Sequence, residues 1–225
     1  DLRYNHGGDD DASTFLCSAI VPKEKAVVGT LLSKETWNSP CQKIFESDPQ
    51  YENLLNRFFV ETNCNLDLPS QKVYILTSGE TVSASEYTIA CLKAFMDVEL
   101  VGTKTYGKYV TMYAFSSQYE ENGKLVADKE LANWLIFPVC SRFTNIDGYP
   151  NSLEGMTPQH EVKEDLFNGI QLGDENEPLL AEALALISGT RRMQVKGKSI
   201  EASPAFNMLP KSFNDIKSNR IIHVK

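Results

Sequence analysis

The stretch that most constrains the fold runs from Tyr74 to Glu86. Tyr74-Ile75-Leu76-Thr77 is a short apolar run that ends in a polar, glycine-containing turn. The period then changes. Tyr87, Ala90, Cys91, Ala94 and Phe95 fall at i, i+3, i+4, i+7 and i+8, one face of a helix. A buried strand therefore feeds a helix, with Ser83 at the helix mouth. The open N–H groups of such an end favour negative charge. Ser83 is thus a cap, a nucleophile, or both. Ser83-x-x-Glu86 has the form of a capping box, in which serine takes one open N–H and glutamate reaches back to another. On this pair alone, capping accounts for both residues.

The same alternation extends on both sides. Asp1 to Tyr4 resembles a strand end, and Asp11 is placed to cap a helix carrying Phe15, Leu16, Ala19 and Ile20 and stopped by Pro22. Ala26 to Leu32 is a candidate strand, Trp37 to Gln50 a loop or lid, and Tyr51 to Val60 has helical spacing at Leu54, Leu55, Phe58 and Phe59. Val98 to Gly102 is another buried strand. Strands alternating with helices predict an α/β domain with a largely parallel sheet. Tyr109 to Phe115 alternates like a strand, and Asn122-Gly123 marks a hairpin before Trp134 to Cys140. Asn145 to Gln159 is rich in turns. Pro178 to Ile187 forms a last helix, ended by Gly189, and Arg220 to Val224 is one further candidate strand.

Bulk properties narrow the partners. The chain has 225 residues and a net charge of −8, which argues against a nucleic-acid or anionic-membrane surface. No apolar run approaches the roughly 20 residues of a membrane span. Five widely spaced cysteines, Cys17, Cys41, Cys64, Cys91 and Cys140, include no Cys-x-x-Cys pair and read as core thiols. The opening has neither an initiator methionine nor a basic-then-apolar leader, and reads as a chain entered in mid-strand.

Three further features bear on chemistry. Gly102-Thr103-Lys104-Thr105-Tyr106-Gly107-Lys108 imitates a phosphate-binding loop, but Tyr109 stands where Ser or Thr would hold magnesium, and a strand follows instead of a helix. A nucleotide site is therefore not expected. Lys108 sits beside Tyr106, Tyr109 and Val110, and partial desolvation there would lower its pKa toward that of a general base. Asn5-His6-Gly7-Gly8 allows close backbone approach, as either a plain tight turn or a pair of N–H donors for an anionic oxygen. His6, His160 and His223 stand alone and form no metal pattern.

Taken in order, Asp1-Leu2-Arg3-Tyr4-Asn5-His6-Gly7-Gly8, Val82-Ser83-Ala84-Ser85-Glu86 and Val101 to Lys108 resemble the signature stretches of the C-terminal processing peptidases, or tail-specific proteases. Lys108 follows Ser83 by 25 residues, a separation that suits the family's serine–lysine dyad. Glu154-Gly155-Met156-Thr157-Pro158 and Leu172-Gly173-Asp174 also look like the family. The resemblance covers residues 1–189, an N-terminally truncated catalytic domain, and leaves 190–225 as a tail of unassigned role.

The resemblance implies a crotonase-like α/β core without the PDZ region that usually precedes it. It implies a serine endopeptidase acting on proteins with apolar C-terminal tails, in the periplasm or at the cell envelope, with no cofactor or metal. Ser83 is then the nucleophile and Lys108 the base. Ala84 with Gly7 or Gly8 would form the oxyanion hole. The third group is either Glu86 or a glutamine four residues after the lysine, where this chain has Met112. His6 replaces a more usual glycine or proline. Together Met112 and His6 keep open a non-catalytic binding or scaffold protein on the same fold. An acyl-CoA enzyme is a weaker alternative, since no basic cluster near the glycine turns suggests a nucleotide pocket.

Overall fold

The computed structural model describes residues 1–150, 153–164 and 170–190. Helix α1 (Asp10–Ile20) is capped by Asp9, two residues before the expected Asp11, because the Asp9 carboxylate accepts from the N–H groups of Asp11 and Ala12. Strand β1 covers Leu31–Trp37. Ala26 to Thr30, where the strand was expected to begin, lies in turns. The expected loop after Trp37 instead contains helix α2 (Ser39–Ser47), capped by Asn38 with Pro40 in its first turn. Helix α3 (Glu52–Leu55) is a single turn, and the chain leaves it at once for β2 (Asn56–Phe58), so the helical spacing of Phe58 and Phe59 is not used.

The central unit follows the sequence closely. β3 (Lys72–Thr77), α4 (Ala84–Lys93) and β4 (Asp97–Gly102) form a strand–helix–strand crossover, with β3 and β4 parallel. Next come β5 (Val110–Met112) and β6 (Phe115–Ser116), then the ribbon of β7 (Gln118–Glu121) and β8 (Lys124–Ala127). That ribbon turns at Asn122-Gly123, both with positive φ, as the dipeptide predicts. β9 (Leu135–Ile136) pairs with β6, and β10 (Val139–Asn145) pairs with β5 and β1. β11 (His160–Glu161) and α5 (Pro178–Ser188) complete the described chain. Gly189 ends α5 in the left-handed conformation expected of it. The candidate strand at Arg220 to Val224 lies outside the described residues.

The sheet expectation needs correction. Parallel pairing is confined to the three strands β11-β4-β3, while the larger sheet, β2-β1-β10-β5, is antiparallel throughout. A helical crossover carries the chain back to start a parallel neighbour, whereas the ribbon between β5 and β10 simply reverses it. Asp1 to Tyr4 forms no strand; Leu2 makes one main-chain bond to the Leu76 carbonyl, 2.9 Å, and the segment then turns away.

Helix α4 lies between the two sheets. Every residue from Ala84 to Leu92 is buried, as befits a helix packed on all sides. The main core joins Cys17 of α1 and Val21 at its end, Leu32, Ile75, Leu100 and Phe143 of the sheets, and Ile89 and Leu92 of α4. Alternate residues of β3 and β4 point the other way: Leu76 and Val101 meet Leu179 and Ala183 of α5. Each such buried aliphatic side chain contributes roughly 1.5–3 kcal/mol. The buried Arg3 guanidinium fastens the chain start to α5, pairing with Asp1 at 2.7 Å, Glu164 at 2.9 Å and Glu177, the α5 cap, at 2.8 Å.

Candidate active site

Ser83 ends the turn between β3 and α4 and is partly exposed. Its backbone adopts φ 60, ψ −116, a conformation that a non-glycine residue rarely takes. An ordinary N-cap is extended at this position so that its side chain can fold over the helix end. Ser83 departs from that backbone geometry. Its N–H is taken by Glu86 Oε2 at 3.0 Å, and the capping box expected between Ser83 and Glu86 is present.

Glu86 does far more than cap. It is 2% exposed, in the first turn of α4. Oε1 accepts from Thr105 Oγ1 at 2.6 Å and Gly107 N–H at 2.7 Å. Oε2 accepts from Lys108 N–H at 2.8 Å as well as from Ser83 N–H. A carboxylate offers about four acceptor positions, and these donors occupy them. One oxygen therefore bridges the main-chain nitrogens of Ser83 and Lys108, the two residues singled out in sequence.

Lys108 is half-buried in the loop from β4 to β5. That loop is held on its far side too. Thr105 N–H donates to the Met156 carbonyl at 3.1 Å, and Met156 N–H donates back to Thr105 Oγ1 at 2.8 Å. Gly107 and Gly155 let the two backbones touch, since a Cβ on Gly107 would collide with the Leu153 carbonyl. The Glu154 to Pro158 stretch noted in sequence thus clamps the lysine loop. Tyr149 lies beside it, its phenol pushed up by burial and by the Glu86 charge. Met112 sits in β5 opposite Val139. Tyr106 points outward and leaves desolvation of the loop to its other neighbours.

The glycine turn meets Ser83 directly. A Cβ on Gly7 would stand 2.6 Å from the Ala84 nitrogen and 3.0 Å from Ser83 Cβ, so only glycine leaves the Ala84 N–H uncovered. Asn5 sets this contact. Its Oδ1 accepts from Gly7 N–H at 2.9 Å and from Ser85 Oγ at 2.9 Å, while its carbonyl accepts from Val82 N–H at 3.1 Å. Gly7 has therefore spent its N–H on Asn5. Ala84 and Gly8 show no hydrogen bond from their N–H groups among the described residues. His6 turns its ring to Glu80, Nε2 to Oε2 2.5 Å, on the exposed side of the turn.

Sequence reasoning missed Asn5, Ser85 and Thr105. Asn5 carried a usable signal, since Asn two residues before a glycine favours a side-chain-to-backbone turn. Ser85 and Thr105 act through contacts between distant segments and carry none.

Residues 1–135 match the sequence model of peptidase family S41. The chain belongs to that family. Among solved structures, this S41 chain is similar to a putative S41 protease from Bacteroides fragilis, with 28% identity and a TM-score of 0.63 over 85% of this chain and 44% of that one. It therefore spans less than half of that protein. More distant are a photosystem II D1 C-terminal processing protease (18% identity, TM-score 0.46, 72% of this chain and 33% of that one) and a lipoprotein from Streptococcus agalactiae (15%, 0.47, 84% and 53%). No curated protein matches the sequence. Among the described residues of the S41 chain, all five cysteines are free thiols, no group of His, Cys, Asp and Glu could hold a metal ion, and no helix is long and apolar enough to cross a membrane.

Proposed function

We propose that this chain is the catalytic part of a serine peptidase in which Ser83 is the nucleophile and Lys108 the general base. The observation that carries the reading is Glu86 Oε2, which accepts from the main-chain N–H of both residues. The strained backbone of Ser83 supports it, since strain of this kind is kept where the surroundings enforce it.

Neutral Lys108 takes the proton from Ser83 Oγ, which attacks the peptide carbonyl. The Ala84 and Gly8 N–H groups hold the resulting oxyanion. Lys108 then gives its proton to the leaving amine, and water hydrolyses the acyl-enzyme. Glu86 positions Lys108 through its main-chain N–H. A carboxylate against the ammonium would raise the lysine pKa and work against a base. The scheme uses no metal or cofactor. The substrates are proteins or peptides with apolar C-terminal tails, the core is crotonase-like, and the setting is the periplasm or envelope, as the family resemblance implies. The rival reading, a binding scaffold, draws on Met112, which offers Lys108 no useful hydrogen bond.

Ser83→Ala in the full-length protein should lower hydrolysis of apolar-tailed peptides by about 1,000-fold or more. Wild-type activity should climb with pH as Lys108 loses its proton. Undiminished turnover in the variant would overturn the assignment.

A further inference from the structure

Two thiols that the proposed chemistry leaves unused meet in the core, where α1 packs against α4. The two helices run side by side in the same direction and in step. Ser13 Oγ donates to the Ala84 carbonyl at 3.2 Å, and four residues on in both helices Cys17 Sγ donates to the Thr88 carbonyl at 3.9 Å. Side-chain atoms this short reach a neighbouring backbone only when the two helices lie close together. Cys91 follows Thr88 by three residues and so faces α1 one turn further along. Its thiol is in hydrogen-bonding contact with that of Cys17. Both side chains are fully buried and belong to the main core. The other three thiols lie elsewhere: Cys41 in the first turn of α2, Cys64 exposed before β3, and Cys140 in β10.

Burial also decides when such a pair can react. The thiolate is the attacking form in disulfide exchange. Burial pushes the Cys91 thiol well up, and contact with Cys17 adds to the rise. With α1 docked, neither sulfur meets an oxidant and little thiolate forms. Before α1 docks, both are open to solvent, and docking then brings them together.

We propose that Cys17 and Cys91 form an oxidation site that closes into a disulfide during folding when a small-molecule disulfide is present, and that the bond fastens α1 to α4. One cysteine thiolate attacks a sulfur of the oxidant and displaces a thiolate. The other cysteine, deprotonated, attacks the mixed disulfide and displaces the second thiolate. The chain loses two electrons and two protons and gains one S–S bond, and the oxidant leaves as two thiols. The link lies behind the site: the α1 cap Asp9 follows Gly8, and α4 begins directly after Ser83. The proposal does not depend on the role of Ser83.

The experiment refolds the reduced full-length protein from denaturant, either in dithiothreitol or in glutathione disulfide with glutathione. Thiols still free are then blocked with N-ethylmaleimide in denaturant, and the products are read by intact mass and peptide mapping. Wild type is compared with a Cys41→Ser, Cys64→Ser, Cys140→Ser variant, which keeps only the core pair. Refolding in glutathione disulfide should give a Cys17–Cys91 linked peptide in both proteins and no maleimide on either residue. The linked form should melt roughly 5–10 °C above the reduced form, because the bond closes a long loop in the unfolded chain. The same mixture added to folded, reduced protein should form the link at least about 100-fold more slowly. Maleimide or glutathione left on Cys17 and Cys91 after oxidative refolding would overturn the proposal. So would linkage of either residue to another cysteine in wild type, a linked form that melts no higher than the reduced one, or equal rates from the folded and refolding states. Should the triple variant fail to fold, the wild-type map decides by the same criteria.

Discussion

The ground around Ser83 and the arm from β6 to β9 are both built from short segments and turns, yet they are held in opposite ways. Around Ser83, three segments distant in sequence meet, and buried polar groups fix them: Glu86 takes four donors and Asn5 takes three. In the arm, two-stranded ribbons carry exposed apolar side chains, with Trp134 71% and Ile136 70% accessible. The first region obtains rigidity from hydrogen bonds that water cannot replace. The second has little burial to hold it, and an isolated two-stranded ribbon is marginal by itself. Precision in this fold is concentrated where the chemistry is proposed.

The largest effect that would break this contrast is at Glu86. Glu86→Gln puts an amide NH2 among four donors and leaves at least one buried donor unpaired. It should cost on the order of 3 kcal/mol of unfolding free energy by denaturant titration. It should also slow turnover by more than 10-fold at temperatures where the variant is still folded. A variant as stable and as fast as wild type would mean that the latch holds nothing.

A smaller effect concerns Glu35, buried in β1, which accepts from Ser141 Oγ at 2.5 Å and Tyr113 Oη at 3.0 Å. Burial raises its pKa, against the pull of those two hydroxyls. A carboxyl raised in the folded state holds its proton more tightly there than in the unfolded chain. Its contribution is full below the unfolded value and is lost as pH rises through the folded one. Glu35→Gln keeps an acceptor for both hydroxyls and should flatten the decline of Tm with pH from 4.5 upward. An unaltered slope would place that decline elsewhere.

The smallest effect belongs to the arm. Trp134→Ser should change unfolding free energy by no more than about 0.5 kcal/mol. A loss of several kcal/mol would show that the arm is packed as firmly as the site.

The legible parts were those where one pattern rules. β3, α4 and β4 are buried on both faces, so their apolar runs and helical period survive in the sequence. β1 was misplaced because its inward positions are polar: Ser33 bonds the Tyr87 hydroxyl at 2.8 Å, and Glu35 has its two donors. The apolar Val27 and Val28, which suggested a strand, lie exposed in a turn. Ser83, Glu86, Lys108 and the glycine turn could be named from spacing and resemblance. The manner of their connection could not. Glu86 reaches Lys108 through a main-chain N–H, and a sequence does not show which backbone a side chain meets.

The central claim is that Ser83 is an activated nucleophile at this meeting point. The most direct test is labelling of the full-length protein with a serine-reactive fluorophosphonate, read by intact mass and peptide mapping. A single adduct on Ser83, absent from Ser83→Ala and slowed in Glu86→Gln, is the predicted result. An adduct that persists in Ser83→Ala, or no adduct on wild type at any pH where it is folded, would contradict it.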